Sequence, residues 1–224
     1  MLYVVGTPIG NLQDLSERQA SVIASSPIIL AENTSSAGIL LQYIKSKHPL
    51  HSEQRVVHYS KDTEFARLPE VLDLLEEKDA AVISEAGMPI LSDPGFLLVK
   101  TAVQRNIPFT VIPGPTAAAT AVIYSGFDPA QYTVMGFLPK KSSQVRRVIT
   151  EMLGVKKVIP GMVFVFYEAP HRILETLEIF RDIWPEARMC VCRELTKKFE
   201  EVIRGNPVEL LHQTYKGELT VVVS

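Results

Sequence analysis

Cysteine is almost missing from this chain: Cys190 and Cys192 are the only two in 224 residues. They lie two apart on a predicted strand, so there is no disulfide framework, and the geometry disfavours a bridge between them. No second Cys/His pair completes a metal site, and no metal is expected. No apolar run approaches the length that spans a bilayer, and Leu2–Val5 is far too short for the core of a signal peptide. The expectation is therefore a cytoplasmic protein without membrane contact. The phosphate-loop pattern G-x-x-x-x-G-K-[ST] is missing, and no G-x-G-x-x-G follows a predicted strand. Neither a nucleoside triphosphate nor a Rossmann dinucleotide is favoured. RRM, KH and zinc-knuckle patterns are missing too, as are internal repeats and low-complexity segments.

What is present suits a folded α/β protein. Hydrophobic residues make up 46% and charged ones 21%, enough apolar material for a buried core. The net charge of −2 hides an asymmetry: residues 1–113 carry 9 Lys+Arg against 13 Asp+Glu, and residues 114–224 carry 14 against 12. Lys140, Lys141, Arg146 and Arg147 form the densest basic segment, in a stretch without acids from Pro129 to Thr150. Such a segment either contacts phosphates or is a solvated face.

The first half alternates predicted strands with helical periods, which implies a mainly parallel sheet with helices on both sides. Strands are predicted at Leu2–Val5, Ile28–Ala31, Val56–Tyr59, Ala80–Ile83 and Phe109–Ile112. In the second half they are predicted at Thr133–Leu138, Met162–Glu168, Met189–Arg193 and Leu219–Val223. The domain change is placed between Pro113 and Tyr132, giving domains 1–113 and 114–224. Three loops combine Gly with Pro at strand ends: Gly6–Asn11, Ser84–Gly95 and Pro113–Thr116. In an open α/β sheet ligands sit where loops leave the carboxyl ends of strands. Loops of this kind would build a rigid pocket from backbone groups, suited to an uncharged or zwitterionic cofactor. The alternative is three well-made turns, with Asp93 capping the helix that follows the middle loop.

The motifs L-Y-V-V-G-T-P-I-G-N-L (Leu2–Leu12), A-E-N-T (Ala31–Thr34), G-M-P-I-L-S-D-P-G (Gly87–Gly95) and I-P-G-P-T-A-A (Ile112–Ala118) open a resemblance that runs the whole length. It continues through G-F-L-P-K-K (Gly136–Lys141), F-Y-E-A-P-H-R (Phe166–Arg172), R-E-L-T-K (Arg193–Lys197) and K-G-E-L-T-V-V-V (Lys216–Val223). The chain resembles the tetrapyrrole methylase superfamily, the class III S-adenosylmethionine-dependent methyltransferases. Within it the chain is most similar to the branch that methylates small-subunit ribosomal RNA. That resemblance implies two α/β domains with S-adenosylmethionine in the cleft between them, in a homodimer. It also implies methyl transfer to the ribose 2′-hydroxyl of a cytidine in the rRNA of the small ribosomal subunit.

By the same carry-over, Pro8, Ile9 and Gly10 face the cofactor, Gly87, Met88, Pro89 and Ile90 meet its methionine part, and Thr116 and Ala117 meet it from the next loop. Phe166 or Tyr167 and the Arg193–Glu194 segment would close over the adenosine. Candidate catalytic residues are Glu32, Glu168, His171, Arg172 and Lys197, each with a plainer alternative: a helix cap for Glu32, a mutual pair for Glu168 and Arg172, a first-turn helix residue for His171, and a solvated face for Lys197. Lys140, Lys141, Arg146 and Arg147 are the candidate RNA contacts. The chain departs from the rRNA enzymes, which have A-E-D-T-R where it has Ala31–Ser35 and S-D-A-G-T-P where it has Ser84–Pro89. Two alternatives therefore stand: a paralogue acting on a small carboxylated macrocycle, although the G-x-G-x-G-D loop of those relatives is missing, and an inactive module that keeps the cofactor fold.

Overall fold

The computed structural model describes residues 1–224, which divide into two units, Met1–Thr116 and Ala117–Ser224. The first unit runs β1 (Leu2–Val5), α1 (Glu17–Ser25), β2 (Ile28–Ala31), α2 (Thr34–Lys45), β3 (Arg55–His58), α3 (Glu64–Glu77), β4 (Ala80–Ile83), α4 (Phe96–Gln104) and β5 (Phe109–Ile112). Its five strands are all parallel in the order β3-β2-β4-β1-β5. The inner strands β2 and β4 are buried throughout and β1 nearly so, as continuous apolar runs covered on both faces must be. Alternation along each strand splits the core in two. Val5, Ile29, Ala31 and Ile83 pack under α1 and α2, while Leu2, Val4, Leu30 and Val82 pack under α3 and α4.

Local sequence explains the helix starts. Ser16 and Gln19 form the expected capping box of α1. Asn33 caps α2, its side chain accepting from Ser35 N and Ser36 N. Asn ranks with Asp at this position, so the departure from A-E-D-T-R keeps the cap. Glu32 is not the cap. Nor is Asp93 the cap of α4: the Glu64 carboxylate reaches across from α3 and accepts from Gly95 N (3.2 Å) and Leu97 N (2.7 Å).

The second unit runs α5 (Ala117–Ser125), β6 (Tyr132–Phe137), α6 (Ser142–Val158), β7 (Val163–Glu168), α7 (Ile173–Ile183), β8 (Met189–Arg193), β9 (Glu201–Gly205), α8 (Pro207–Leu210) and β10 (Leu219–Val223). Its mixed sheet has the order β6-β7-β10-β8-β9, with only the β6–β7 pair parallel. The core lies between this sheet and α6 and α7, around Phe164, Phe166, Leu177, Phe180 and Val221. Strand β9 (E-V-I-R-G) carries no apolar run and was not expected from the sequence; it forms by pairing along β8. Cys190 and Cys192 are buried free thiols, with sulfurs 3.8 Å apart.

Candidate functional site

The register of the first sheet lines up its carboxyl ends. Ala31 pairs with Ile83, Ile83 with Val5, and Val5 with Ile112, so Glu32, Ser84, Gly6 and Pro113 leave the sheet side by side. The neighbouring strands β1 and β4 then send their chains to opposite faces, toward α1 and α4. Such a switch point opens a crevice above the strand ends.

Here the crevice is closely knit. Thr7 and Gly87 exchange backbone hydrogen bonds of 2.8 and 3.1 Å, and Thr7 Oγ1 donates to Ser84 O at 3.2 Å. The Gln19 amide, 1% exposed, donates to Gly6 O (2.9 Å) and Pro113 O (3.1 Å) while its oxygen accepts from Ser16 N. One side chain thus caps α1 and ties the first loop to the third. Met88 links the second to the third, its sulfur accepting from Gly114 N at 3.2 Å. The thioether of Met88 thus satisfies a backbone donor.

Glycine is demanded by contact as much as by conformation. A Cβ on Gly6 would stand 2.7 Å from Gly114 Cα and 2.8 Å from Met88 Sδ, and a Cβ on Gly114 would stand 2.9 Å from Gly6 Cα. Gly87 (φ +85) and Gly95 (φ +114) take the left-handed region, and so do Ile90 (φ +76) and Ser92 (φ +77). A β-branched residue there is strained, and strain of this kind gathers where the surrounding structure holds a loop in one shape. Pro8, Ile9, Gly87 and Pro89 are buried, Met88, Ile90, Thr116 and Ala117 half-buried, and Gly10 exposed. Thr116 ends the first unit and Ala117 begins α5 in the second.

Beside the crevice is a carboxylate group that the sequence reading passed over as a cap. Burial first, then the nearby Glu32 and Glu85, push the Asp93 carboxyl up to about 6, against the pull of Lys61. Lys61 also donates to Ser92 O, and Glu85 accepts from Ser36 Oγ at 2.8 Å. An ordinary aspartate titrates near 4, so between about pH 4 and 6 the folded protein binds more protons here than the unfolded chain. Stability therefore falls as pH rises through that window and is level above it. Asp93→Asn is expected to melt higher than wild type at pH 7. The gap should open between pH 4 and 6, as thermal unfolding across a pH series will read.

In the second unit the carboxyl ends of β6, β7 and β8 and the start of β10 share one edge. Glu168, whose side chain is wholly buried, accepts from Ala169 N (2.9 Å) and Thr176 Oγ1 (2.8 Å) and lies 3.5 Å from Arg172. Arg172 also donates to Leu138 O and Pro139 O. The pair suggested by their spacing is formed, and it fixes the chain leaving β6. Lys197 does not simply face water. Burial lowers its pKa, but Glu218 and Glu194 outweigh that and raise it, holding the ammonium in ion pairs of 2.9 and 3.2 Å.

Glu194 also accepts from Glu218 N, and Arg193 bonds Lys216 O and Glu201, so this segment fastens β8 to β10 and β9. Phe166 does not face the edge: strand alternation turns its ring into the core against Phe180, leaving Tyr167 on the outer face. His171 is exposed. Lys140, Lys141, Arg146 and Arg147 are all exposed, but Arg146 pairs with Asp182 (2.9 Å) and Arg147 with Glu151 (2.8 Å). No cluster of three or more His, Cys, Asp or Glu could hold a metal ion, and no helix is long and apolar enough to cross a membrane.

Known proteins share both the sequence and the architecture. The model of the family described as Tetrapyrrole (Corrin/Porphyrin) Methylases matches residues 1–210. A protein of Coprothermobacter proteolyticus named Ribosomal RNA small subunit methyltransferase I is 35% identical over all of this chain and 97% of its own length. One of the same name from Thermotoga maritima is 36% identical over all of this chain and 97% of its own. Among solved structures, uroporphyrin-III-C-methyltransferase from Thermus thermophilus superposes with a TM-score of 0.64 at 19% identity, covering all of this chain and 93% of that one. The methyltransferase CobJ reaches a TM-score of 0.71 at 15% identity, again over all of this chain and 93% of that one. With a sheet that opens at its switch point and a family match that takes in both units, this chain belongs to the tetrapyrrole methylase family.

Proposed function

We propose that the protein is an S-adenosylmethionine-dependent methyltransferase that modifies the ribose 2′-hydroxyl of a cytidine in small-subunit ribosomal RNA. The observation that carries the reading is end-to-end similarity, at about a third identity, to proteins named Ribosomal RNA small subunit methyltransferase I. The crevice of the first unit fits the cofactor. Its loops present backbone and apolar side chains, and a Cβ at Gly87 would come within 3.2 Å of both Ile9 and Pro115 O, a close fit that keeps this position to glycine. Pro8, Ile9, Gly10, Gly87, Met88, Pro89, Ile90 and Thr116 would hold it there.

The cofactor supplies a sulfonium methyl group already activated for transfer, so the protein has chiefly to position the acceptor. A ribose hydroxyl is a poor nucleophile at neutral pH, and a proton acceptor beside it speeds the step. Glu168, Arg172 and Lys197 are engaged in contacts that hold the second unit together. Glu32 instead stands beside Asp93, whose carboxyl loses its proton near pH 6. We assign proton acceptance to this pair. The assembly expected with this reading is a homodimer.

The test is methyl transfer from isotope-labelled S-adenosylmethionine to small ribosomal subunits that lack their own methylations, with the label mapped by nuclease digestion and mass spectrometry. Label on a ribose is expected, with a rate that rises through about pH 6 in wild type and loses that rise in Asp93→Asn. Cofactor binding without label in RNA would overturn the rRNA target and turn the search to carboxylated macrocycles.

A further inference from the structure

Strand β6 delivers its last residue to the surface by a backbone device. Tyr132, Thr133 and Val134 pair in step with Val163, Phe164 and Val165, but Phe137 is the partner of Tyr167, so β6 holds one extra residue at Met135–Gly136. Gly136 adopts φ +68 there, the left-handed conformation such a bulge uses. Without the extra residue Phe137 would stand opposite Glu168, on the face that buries Phe164 and Phe166. With it, Phe137 stands beside Tyr167, ring centroids 5.5 Å apart and tilted by 53°, and is 62% exposed. Leu138 takes the next core position. An aromatic ring that would gain a few kcal/mol by burial is therefore displayed at the sheet's edge, and bulges that re-aim a side chain gather beside functional sites.

The chain that follows is fixed and cationic. Arg172 holds the carbonyls of Leu138 and Pro139, and Lys140 and Lys141 come next, both exposed. Arg146 and Arg147 are paired with carboxylates, whereas no carboxylate lies within ion-pair distance of Lys140 or Lys141. An exposed ring with two unpaired ammonium groups a few residues on matches a nucleotide, whose base stacks on the ring while its phosphates meet the cations.

We propose that Phe137, backed by Tyr167, is a stacking platform for an unpaired base of the RNA substrate, with Lys140 and Lys141 taking the flanking phosphates. The inference rests on the RNA reading given above and names where that RNA is gripped. The experiment titrates a mixed-sequence single-stranded RNA ten-mer at several salt concentrations, and in parallel measures S-adenosylmethionine affinity and transfer to small subunits. Phe137→Ala is expected to weaken RNA binding about tenfold or more with an unchanged salt slope and unchanged cofactor affinity, and Phe137→Trp to restore it. Lys140→Ala/Lys141→Ala should instead flatten the salt slope by about 1 to 1.5.

Phe65→Ala, which removes an 83% exposed ring from α3, serves as the control and should bind as wild type does. Unchanged RNA affinity in Phe137→Ala, a loss of cofactor affinity in its place, or an equal loss in Phe65→Ala would overturn the platform. Wild type that labels subunits yet ignores the ten-mer overturns the platform and leaves the methyltransferase reading standing. Phe137-dependent RNA binding with no label on subunits overturns the rRNA target and keeps the platform.

Discussion

Gly6→Ala is expected to cost about 2 kcal/mol of stability, roughly 4–8 °C in melting temperature for a chain of this size, and to weaken S-adenosylmethionine binding at least tenfold. The added methyl would lie 2.7 Å from Gly114 Cα and 2.8 Å from Gly114 N, backbone atoms with no side-chain rotation to relieve the overlap. Gly114 cannot retreat freely, because its N–H is bonded to Met88 Sδ and the preceding Pro113 carbonyl is bonded to Gln19. The strain must therefore spread into all three loops of the crevice. Gly114→Ala should act in the same direction, its Cβ meeting Gln19 Nε2 at 2.7 Å and Gly6 Cα at 2.9 Å.

Gly154→Ala is the matched comparison. It sits in α6 with nothing within 4 Å of the new methyl, so the helix should gain about 0.5–1 kcal/mol. Thermal unfolding and calorimetric titration with S-adenosylmethionine read both effects. If Gly6→Ala behaved like Gly154→Ala, the tight packing of the loops would have no bearing on the crevice.

Much of this site is legible in the sequence because glycine and proline announce backbone geometry locally. Gly6, Gly87 and Gly114 follow apolar runs closely, Gly95 closes the middle loop, and the alternation of those runs with helical periods places them in one parallel sheet. The capping box of α1 is legible for the same reason, since Ser16 and Gln19 lie within one helical turn. The partners of those residues are not local. Nothing within one turn of Gln19 shows that its amide also joins Gly6 to Pro113, 94 residues away in the chain.

Long-range partnership also explains the misplaced caps. Asp93 lies three residues before a helix and reads as its cap, but Glu64 from another helix holds the first turn of α4, leaving Asp93 among like charges. Phe166 and Tyr167 show a different limit. The motif F-Y-E-A-P-H-R cannot say which ring faces out, because that depends on the face of β7 under which α7 packs. Strand β9 lies further still from local reading, since its E-V-I-R-G sequence becomes a strand only along the edge that β8 supplies.

The second large effect is expected for Arg172→Ala, with a loss of about 3–5 kcal/mol, because it leaves a wholly buried carboxyl group without its cation. Glu168 would keep Thr176 Oγ1 and Ala169 N, which can satisfy hydrogen bonds but not charge. The carbonyls of Leu138 and Pro139 would lose their donor at the same time. Glu168→Gln in the Arg172→Ala background should recover a substantial part of the loss, since a neutral amide removes the buried charge, its oxygen accepting from Ala169 N while its NH2 donates to Thr176 Oγ1. A double-mutant cycle measured by denaturant unfolding gives the coupling directly. Additive losses would show that the two side chains act independently.

The functional consequence follows from position. Arg172 fixes the segment between Phe137 and Lys141, so a variant that remains folded should bind RNA more weakly while its cofactor affinity is preserved. Lys140 and Lys141 would still carry their charges, and the salt slope of RNA binding should stay near the wild-type value as the affinity falls. That combination separates a loosened platform from a missing phosphate contact, in which slope and affinity fall together.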